Sequence, residues 1–299
     1  MIIRQQPNSS QLFFILKGSV IRTIWPKIIL FALLAGVINL IAHNLFAISA
    51  VSLAGVSVFG VALSLFLGFQ NNAAYERWWE ARKLWGAIIA DVRAFAIETR
   101  IHVPNEEHCD SILRYIILFL YFHATQLKGS WVSEYPQEWC SQEEYQQLAS
   151  GAEPSTIYLM KAADRLTAEE GVTDRYGALA MGQTLGRLAL AQAGNERIRN
   201  TPLPFVYSLL VQRTTYLYCL ILPFALLNFP VFYSVLIEAT AAYVFFGLQA
   251  VTNDLEAPFS DSENAIPLAA LHRIAENSIL SATNRSVKPP IKPDGYVLA

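Results

Sequence analysis

IILFALLAGVINLIAHNLFAISAVSLAGVSVFGVALSLFLGFQNNAAY, residues 28–75, runs for 48 positions without Asp, Glu, Lys or Arg, and holds one histidine, His43. As a single helix it would measure roughly 70 Å at about 1.5 Å per residue, more than twice a hydrocarbon core of about 30 Å. One straight span cannot use that length, so the stretch divides into two spans with a turn around His43-Asn44. A second apolar block, Thr214–Asn253, is broken by a charge only at Glu238 and divides at Asn228-Phe229-Pro230. The expected fold is therefore an all-α membrane protein with four spans, at about 27–47, 51–72, 205–227 and 231–252.

Working outward, hydrophobic residues make up 54% of the 299 residues and charged residues 15%, against about 25% charged in a typical soluble domain. A net charge of −2 gives no reason to expect nucleic acid as a partner. Cys109, Cys140 and Cys219 lack metal-ligand spacing and cannot all pair, so plain thiols in a reducing compartment are expected. The first residues show no short apolar stretch ending in a small-residue cleavage site, so no cleaved signal peptide is expected.

Lys and Arg near span ends set orientation. Arg4, Lys17, Arg22 and Lys27 precede the first span, Arg77, Arg82 and Lys83 follow the second, and Arg197, Arg199 and Arg213 lie around the start of the third. The turns at 43–50 and 228–230 carry neither Lys nor Arg. Both termini are thus expected in the cytoplasm. The order is a cytoplasmic segment 1–26, spans 27–72, a cytoplasmic helical domain 73–204, spans 205–252 and a cytoplasmic segment 253–299. Within the middle domain Leu113, Ile116, Ile117, Leu120 and Tyr121 recur at helical spacing, as do Leu179, Leu185, Leu188 and Leu190. Val103-Pro104 can start a helix, because proline is tolerated in a first turn. Lys128–Pro154 reads as loop with one short helix, and the proline-bearing tail from Asn284 reads as extended.

The second span mixes small residues (Gly55, Ser57, Gly60, Ala62, Ser64, Gly68) with large apolar ones. Small residues let helices approach closely in lipid, so tight packing is the plain reading. Val61, Leu65 and Phe69 recur at i, i+4 and i+8, and the sharper reading is a pore-lining face that gates by losing water.

Gly68-Phe69 ends this apolar helix, and Arg77-Trp78-Trp79 follows after a short gap, leading into Glu80-Ala81-Arg82-Lys83-Leu84-Trp85-Gly86. Leu203-Pro204-Phe205-Val206-Tyr207 precedes the third span, and Glu256-Ala257-Pro258-Phe259 follows the fourth. With these elements the chain resembles the bestrophin family of ion channels, and its bacterial branch in particular, over about residues 1–285. The Ala257-Pro258-Phe259 element stands where the family has Asn-Pro-Phe. The resemblance implies a homopentamer around one central pore, whose narrow neck falls on Val61, Leu65 and Phe69. It implies a second, cytoplasmic constriction, for which Leu179 is the candidate. The permeant partners would be small monovalent ions (Na⁺, K⁺ or Cl⁻), with cations favoured over chloride by analogy with the bacterial branch. Membrane lipid and further copies of the chain are the other partners, and no cofactor is implied. In calcium-gated animal members a run of acidic residues follows the Pro-Phe pair. Here Ser260-Asp261-Ser262-Glu263-Asn264 offers two carboxylates, so no metal site is expected.

Other residues admit plainer roles. Glu238, inside an apolar block, is either a pore or vestibule group or a residue near the outer interface. Arg77, between Glu76 and Glu80, reads as the salt-bridged start of a cytoplasmic helix, and Trp78 and Trp79 as interfacial anchors. His102, His108 and His123 with Cys109 match no ligand spacing. A membrane enzyme would need a nucleophile with a base, or a metal cluster, at membrane depth, and His43, Cys219 and Glu238 have no partner in sequence reach. A transporter would more often show repeated halves. A membrane scaffold is the remaining alternative.

Overall fold

The computed structural model describes residues 1–3, 18–44, 49–130, 138–149, 154–167 and 172–298. The described residues form helices α1 (Ile21–Asn44), α2 (Leu53–His102), α3 (Glu106–Lys128), α4 (Gln142–Ala149) and α5 (Pro154–Thr167). The chain continues through α6 (Arg175–Asn200), α7 (Phe205–Ala225), α8 (Val231–Glu256) and α9 (Leu268–Ala282). Among these, α1, α2, α7 and α8 are long and apolar enough to cross a membrane. Residues 45–47, the expected end of the first span, lie outside the described residues.

Two compact units divide the chain: residues 5–78 with 202–258, and residues 79–201 with 259–299 and the first residues of the chain. In the first unit Ile24, Phe31, Val56, Leu63, Leu67, Val211, Cys219, Leu222 and Phe246 form the core. Leu30, Leu33, Leu40, Val58, Leu220, Phe232 and Leu236 point outward from the same helices. Four helices so apolar on their outer faces are stable only in an apolar surrounding, because exposed apolar patches in water drive association. Polar side chains tie the helices where the backbone leaves a group unpaired. Asn39 donates to the Phe229 carbonyl and to Ser234 Oγ, and Ser234 in turn donates to the Leu226 carbonyl at 2.9 Å, closing the turn between α7 and α8.

The second unit is built around α3. Cys109, Ile112, Leu113 and Ile116–Ala124 are all buried, which explains the unbroken apolar run within this helix. It packs against α5, α9 and α6. The expected helix start at Val103-Pro104 is corrected. Both residues lie in the connection, and Asn105 caps α3 by accepting from the Glu107 N–H at 2.8 Å. A short polar side chain satisfies an orphan N–H that proline cannot. In α6 the periodic leucines divide: Leu185 and Leu188 are buried, whereas Leu179 and Leu190 are exposed. The short helix expected within 128–154 is α4. Beyond α9 the tail is extended and docked, with Asn277 exchanging two hydrogen bonds with the Lys288 backbone at 2.8 and 2.9 Å. Residues 1–3 pair with 296–298 through Ile3 N–H to the Tyr296 carbonyl and Leu298 N–H to the Met1 carbonyl.

Candidate pore-lining site

Helix α2 presents two contrasting faces. On one, Val56, Gly60, Leu63, Leu67, Gln70 and Ala74 recur at three- and four-residue spacing and are buried. Packing there is close enough to require glycine at one position: a methyl at Gly60 would lie 2.8 Å from Tyr218 Oη and 2.9 Å from its Cε2. The start of α7 is fastened to this face, with Gln70 donating to Ser208 Oγ at 3.1 Å and Tyr207 donating to the Phe66 carbonyl at 3.1 Å. On the other face Val61, Leu65 and Phe69 are 62%, 56% and 63% exposed. Gly68 also faces open space. The small-residue packing reading thus holds for Gly60, while among the described residues no helix of the same chain covers the large apolar stripe. Leu179, in the other unit, is likewise 62% exposed on α6.

The motif residues meet away from that stripe. Helix α2 is one unbroken helix from Leu53 to His102, so Arg77 does not begin a helix, and that expectation is corrected. Nothing between Gly68 and Gly86 interrupts helical hydrogen bonding, and a charged segment propagates a helix as readily as an apolar one. Arg77 Nε donates to the Glu256 carbonyl at 2.7 Å, and the Glu256 carboxylate accepts the Leu203 N–H at 3.2 Å. The first bond satisfies the last carbonyl of α8, which the helix end leaves orphaned, and the second gives a partner to the Leu203 N–H just outside α7. Three motifs far apart in sequence therefore form one joint holding α2, α7 and α8. Glu80 pairs instead with Arg197. Trp78 is half-buried and Trp79 more exposed, and Pro258 and Phe259 are buried. No sequence signal pointed to a backbone carbonyl as the partner of Arg77.

Glu238 is 0% exposed. It lies inside the packed helices of its unit and reaches no surface of the chain, which corrects the pore or vestibule role. Among the described residues no group of three or more His, Cys, Asp or Glu could hold a metal. His123 is stacked between Trp85 and Phe119 and lies 3.2 Å from Asn195 Nδ2. Burial holds its imidazole neutral, with the pKa lowered to about 3. Burial likewise lowers His272, to about 4, opposed by nearby Glu276. After Phe259, Lys128 Nζ stands 3.0 Å from Asp261 Oδ1. Ca²⁺ usually takes six to eight oxygens, several of them charged. Here an ammonium already neutralises one of the two carboxylates, so these residues do not fit a tight calcium site.

Four membrane-length helices and, among the described residues, a locked helix α2 with one bare apolar stripe define a helical membrane protein. The bacterial and fungal bestrophin model matches residues 1–281, and the chain belongs to the bestrophin family. Members of that family are ion channels, not enzymes. The voltage-dependent anion channel-forming protein mll4386 of Mesorhizobium japonicum is 36% identical over 97% of this chain and 94% of its own length. The voltage-dependent anion channel-forming protein YneE of Escherichia coli is 30% identical over 99% of both. The crystal structure of a bacterial bestrophin homologue from Klebsiella pneumoniae superposes with a TM-score of 0.82 at 28% identity, covering 88% of this chain and 99% of that one. The names of the first two relatives specify anions. They run against the cation preference expected from sequence, which rested on analogy with the bacterial branch and on no residue of this chain.

Proposed function

We propose that the chain is the subunit of a ring-shaped channel, a homopentamer, through which small anions such as chloride cross the bacterial inner membrane. Copies of α2 surround the pore, Val61, Leu65 and Phe69 form its neck, and Leu179 rings a second aperture on the cytoplasmic side. Residues 73–204 and both termini lie in the cytoplasm. The observation that carries this reading is the bare apolar stripe of α2, set opposite a face locked by Gly60, Leu63 and Leu67. A helix held so firmly from behind keeps the stripe in a fixed direction, as a gate of apolar side chains requires. Such rings offer an ion no replacement for its hydration shell, so a narrow neck acts by losing and regaining water. The neck carries no charge and does not choose the sign of the ion; the anion preference is taken from the relatives' names.

Native mass spectrometry of the purified protein, followed by recording in a planar bilayer under a chloride salt gradient, tests the proposal. A five-subunit mass and a reversal potential close to that of chloride are expected. Monomers without currents would refute the channel, and reversal close to the cation potential would refute the anion preference alone.

A further inference from the structure

Lys27 and Arg213, in the span-bearing unit, have no acidic partner among the described residues. Lys27 is the seventh residue of α1 and Arg213 the ninth of α7, roughly 10 Å inside helices of membrane length. Arg213 is exposed and Lys27 half-buried, and among the described residues neither lies within ion-pair distance of a carboxylate. Lys27 rests against aromatic rings on the helix that carries Arg213 and the helix beside it. Lys27 Nζ sits 5.4 Å from the centre of Tyr216 and 4.9 Å from that of Phe246. Arg213 precedes Tyr216 by three residues and so shares its face of α7. Phe31 backs the cluster, stacking on Phe246 at 5.6 Å and lying 6.1 Å from Tyr216. The rings hold the ammonium by cation–π attraction while Lys27 stays only half-buried. Exposed Arg22 and Trp25 stand nearby in chain order on α1.

We propose that Lys27 and Arg213, with Tyr216 between them, bind the phosphate of an anionic phospholipid at the membrane interface. A cation inside an apolar span is unfavourable unless it is paired or reaches the headgroups. Basic pockets between membrane helices receive anionic headgroups for the same reason. Among the described residues no carboxylate balances this pair, whereas anionic charge is abundant in a bacterial leaflet. Two cations beside one ring also favour a net-anionic lipid over phosphatidylcholine, whose own ammonium they would repel.

The test is native mass spectrometry of the whole protein, released from micelles doped with phosphatidylglycerol or, separately, phosphatidylcholine. Retention of phosphatidylglycerol over phosphatidylcholine is expected. Affinity should fall about fivefold for Lys27→Gln or Arg213→Gln and roughly thirtyfold for both. A Lys27→Arg/Arg213→Lys variant should restore retention, showing that charge rather than folding was lost. Equal retention of the two lipids, or an unaffected double variant, overturns the proposal. Displacement of the lipid by a few millimolar inorganic phosphate would assign the site to free phosphate instead. A double variant that changes subunit number while keeping its lipid would mean that a neighbouring copy supplies the counter-charge, which overturns it too. No current is measured, so a conducting channel that ignores lipid charge fails this proposal and leaves the channel reading intact.

Discussion

Replacing Gly60 with alanine should weaken the protein, and the same exchange at Gly68 should not. A methyl at Gly60 would meet Tyr218 at 2.8 Å (Oη), 2.9 Å (Cε2) and 3.1 Å (Cζ). Carbon contacts settle near about 3.5–4.0 Å, so the ring must withdraw by roughly half an ångström. It cannot do so alone, because it packs edge-on to Phe245 at 5.0 Å and to Phe59 at 5.7 Å. Overpacking of this kind costs about 1–3 kcal/mol. Alanine gains up to about 1 kcal/mol of helix propensity over glycine, but Gly68→Ala gains the same with no atom within 4 Å of the new methyl. The difference between the two variants therefore isolates the clash. In detergent melting curves followed by fluorescence-detected size exclusion, Gly60→Ala should melt several degrees below Gly68→Ala. Adding Tyr218→Leu should couple with Gly60→Ala, so that the pair loses less than the sum of the singles by about 0.5–3 kcal/mol. Equal melting of the two alanine variants, or strict additivity with Tyr218→Leu, would refute the close approach of α2 and α7.

The motif joint makes Arg77→Ala costly by about 1.5–3 kcal/mol, since a charge-assisted bond to the Glu256 carbonyl is lost and that carbonyl is orphaned; unchanged melting would contradict it. Stability should fall on acidification. His123 and His272 hold folded pKa values of about 3 and about 4, below the ordinary 6.5. Below pH about 6.5 the unfolded chain binds protons that the folded one refuses, with a slope of up to about 1.4 kcal/mol per pH unit for each histidine. Melting temperatures measured at pH 7.5, 6.0 and 5.0 should descend, and a flat or rising series would contradict the neutral burial. Ion flow should not require calcium, since Lys128 already neutralises Asp261; currents abolished by a chelator and restored by micromolar Ca²⁺ would contradict this.

Much of the span-bearing unit was legible because hydropathy is a property of local sequence. A 48-residue charge-free run exceeds one membrane crossing whatever its partners. The buried pattern of α3 was legible for a related reason, since helical spacing of large apolar residues survives tertiary context. The continuation of α2 past residue 72 was not legible, because the end of an apolar block marks a change of surroundings rather than a change of backbone. Leu179 and Leu185 look alike in sequence, and only the packing of α6 decides that one turns out and the other in. The bonds of Arg77 to Glu256 and of Lys128 to Asp261 join residues 179 and 133 positions apart. Single-sequence patterns are silent at that range, above all when the acceptor is a main-chain carbonyl.

In the proposed channel Val61, Leu65 and Phe69 form the neck. Stacked along the pore they would occupy roughly 12 Å, eight residues at about 1.5 Å each. The most direct measurement is single-channel recording of Val61→Ala/Leu65→Ala/Phe69→Ala beside the parent under a salt gradient. Higher conductance or open probability is expected, because the constriction becomes wider and wetter, with little change in reversal potential, since no charge is removed. Unchanged conductance and gating would contradict it and would place these side chains against neighbouring helices or lipid instead.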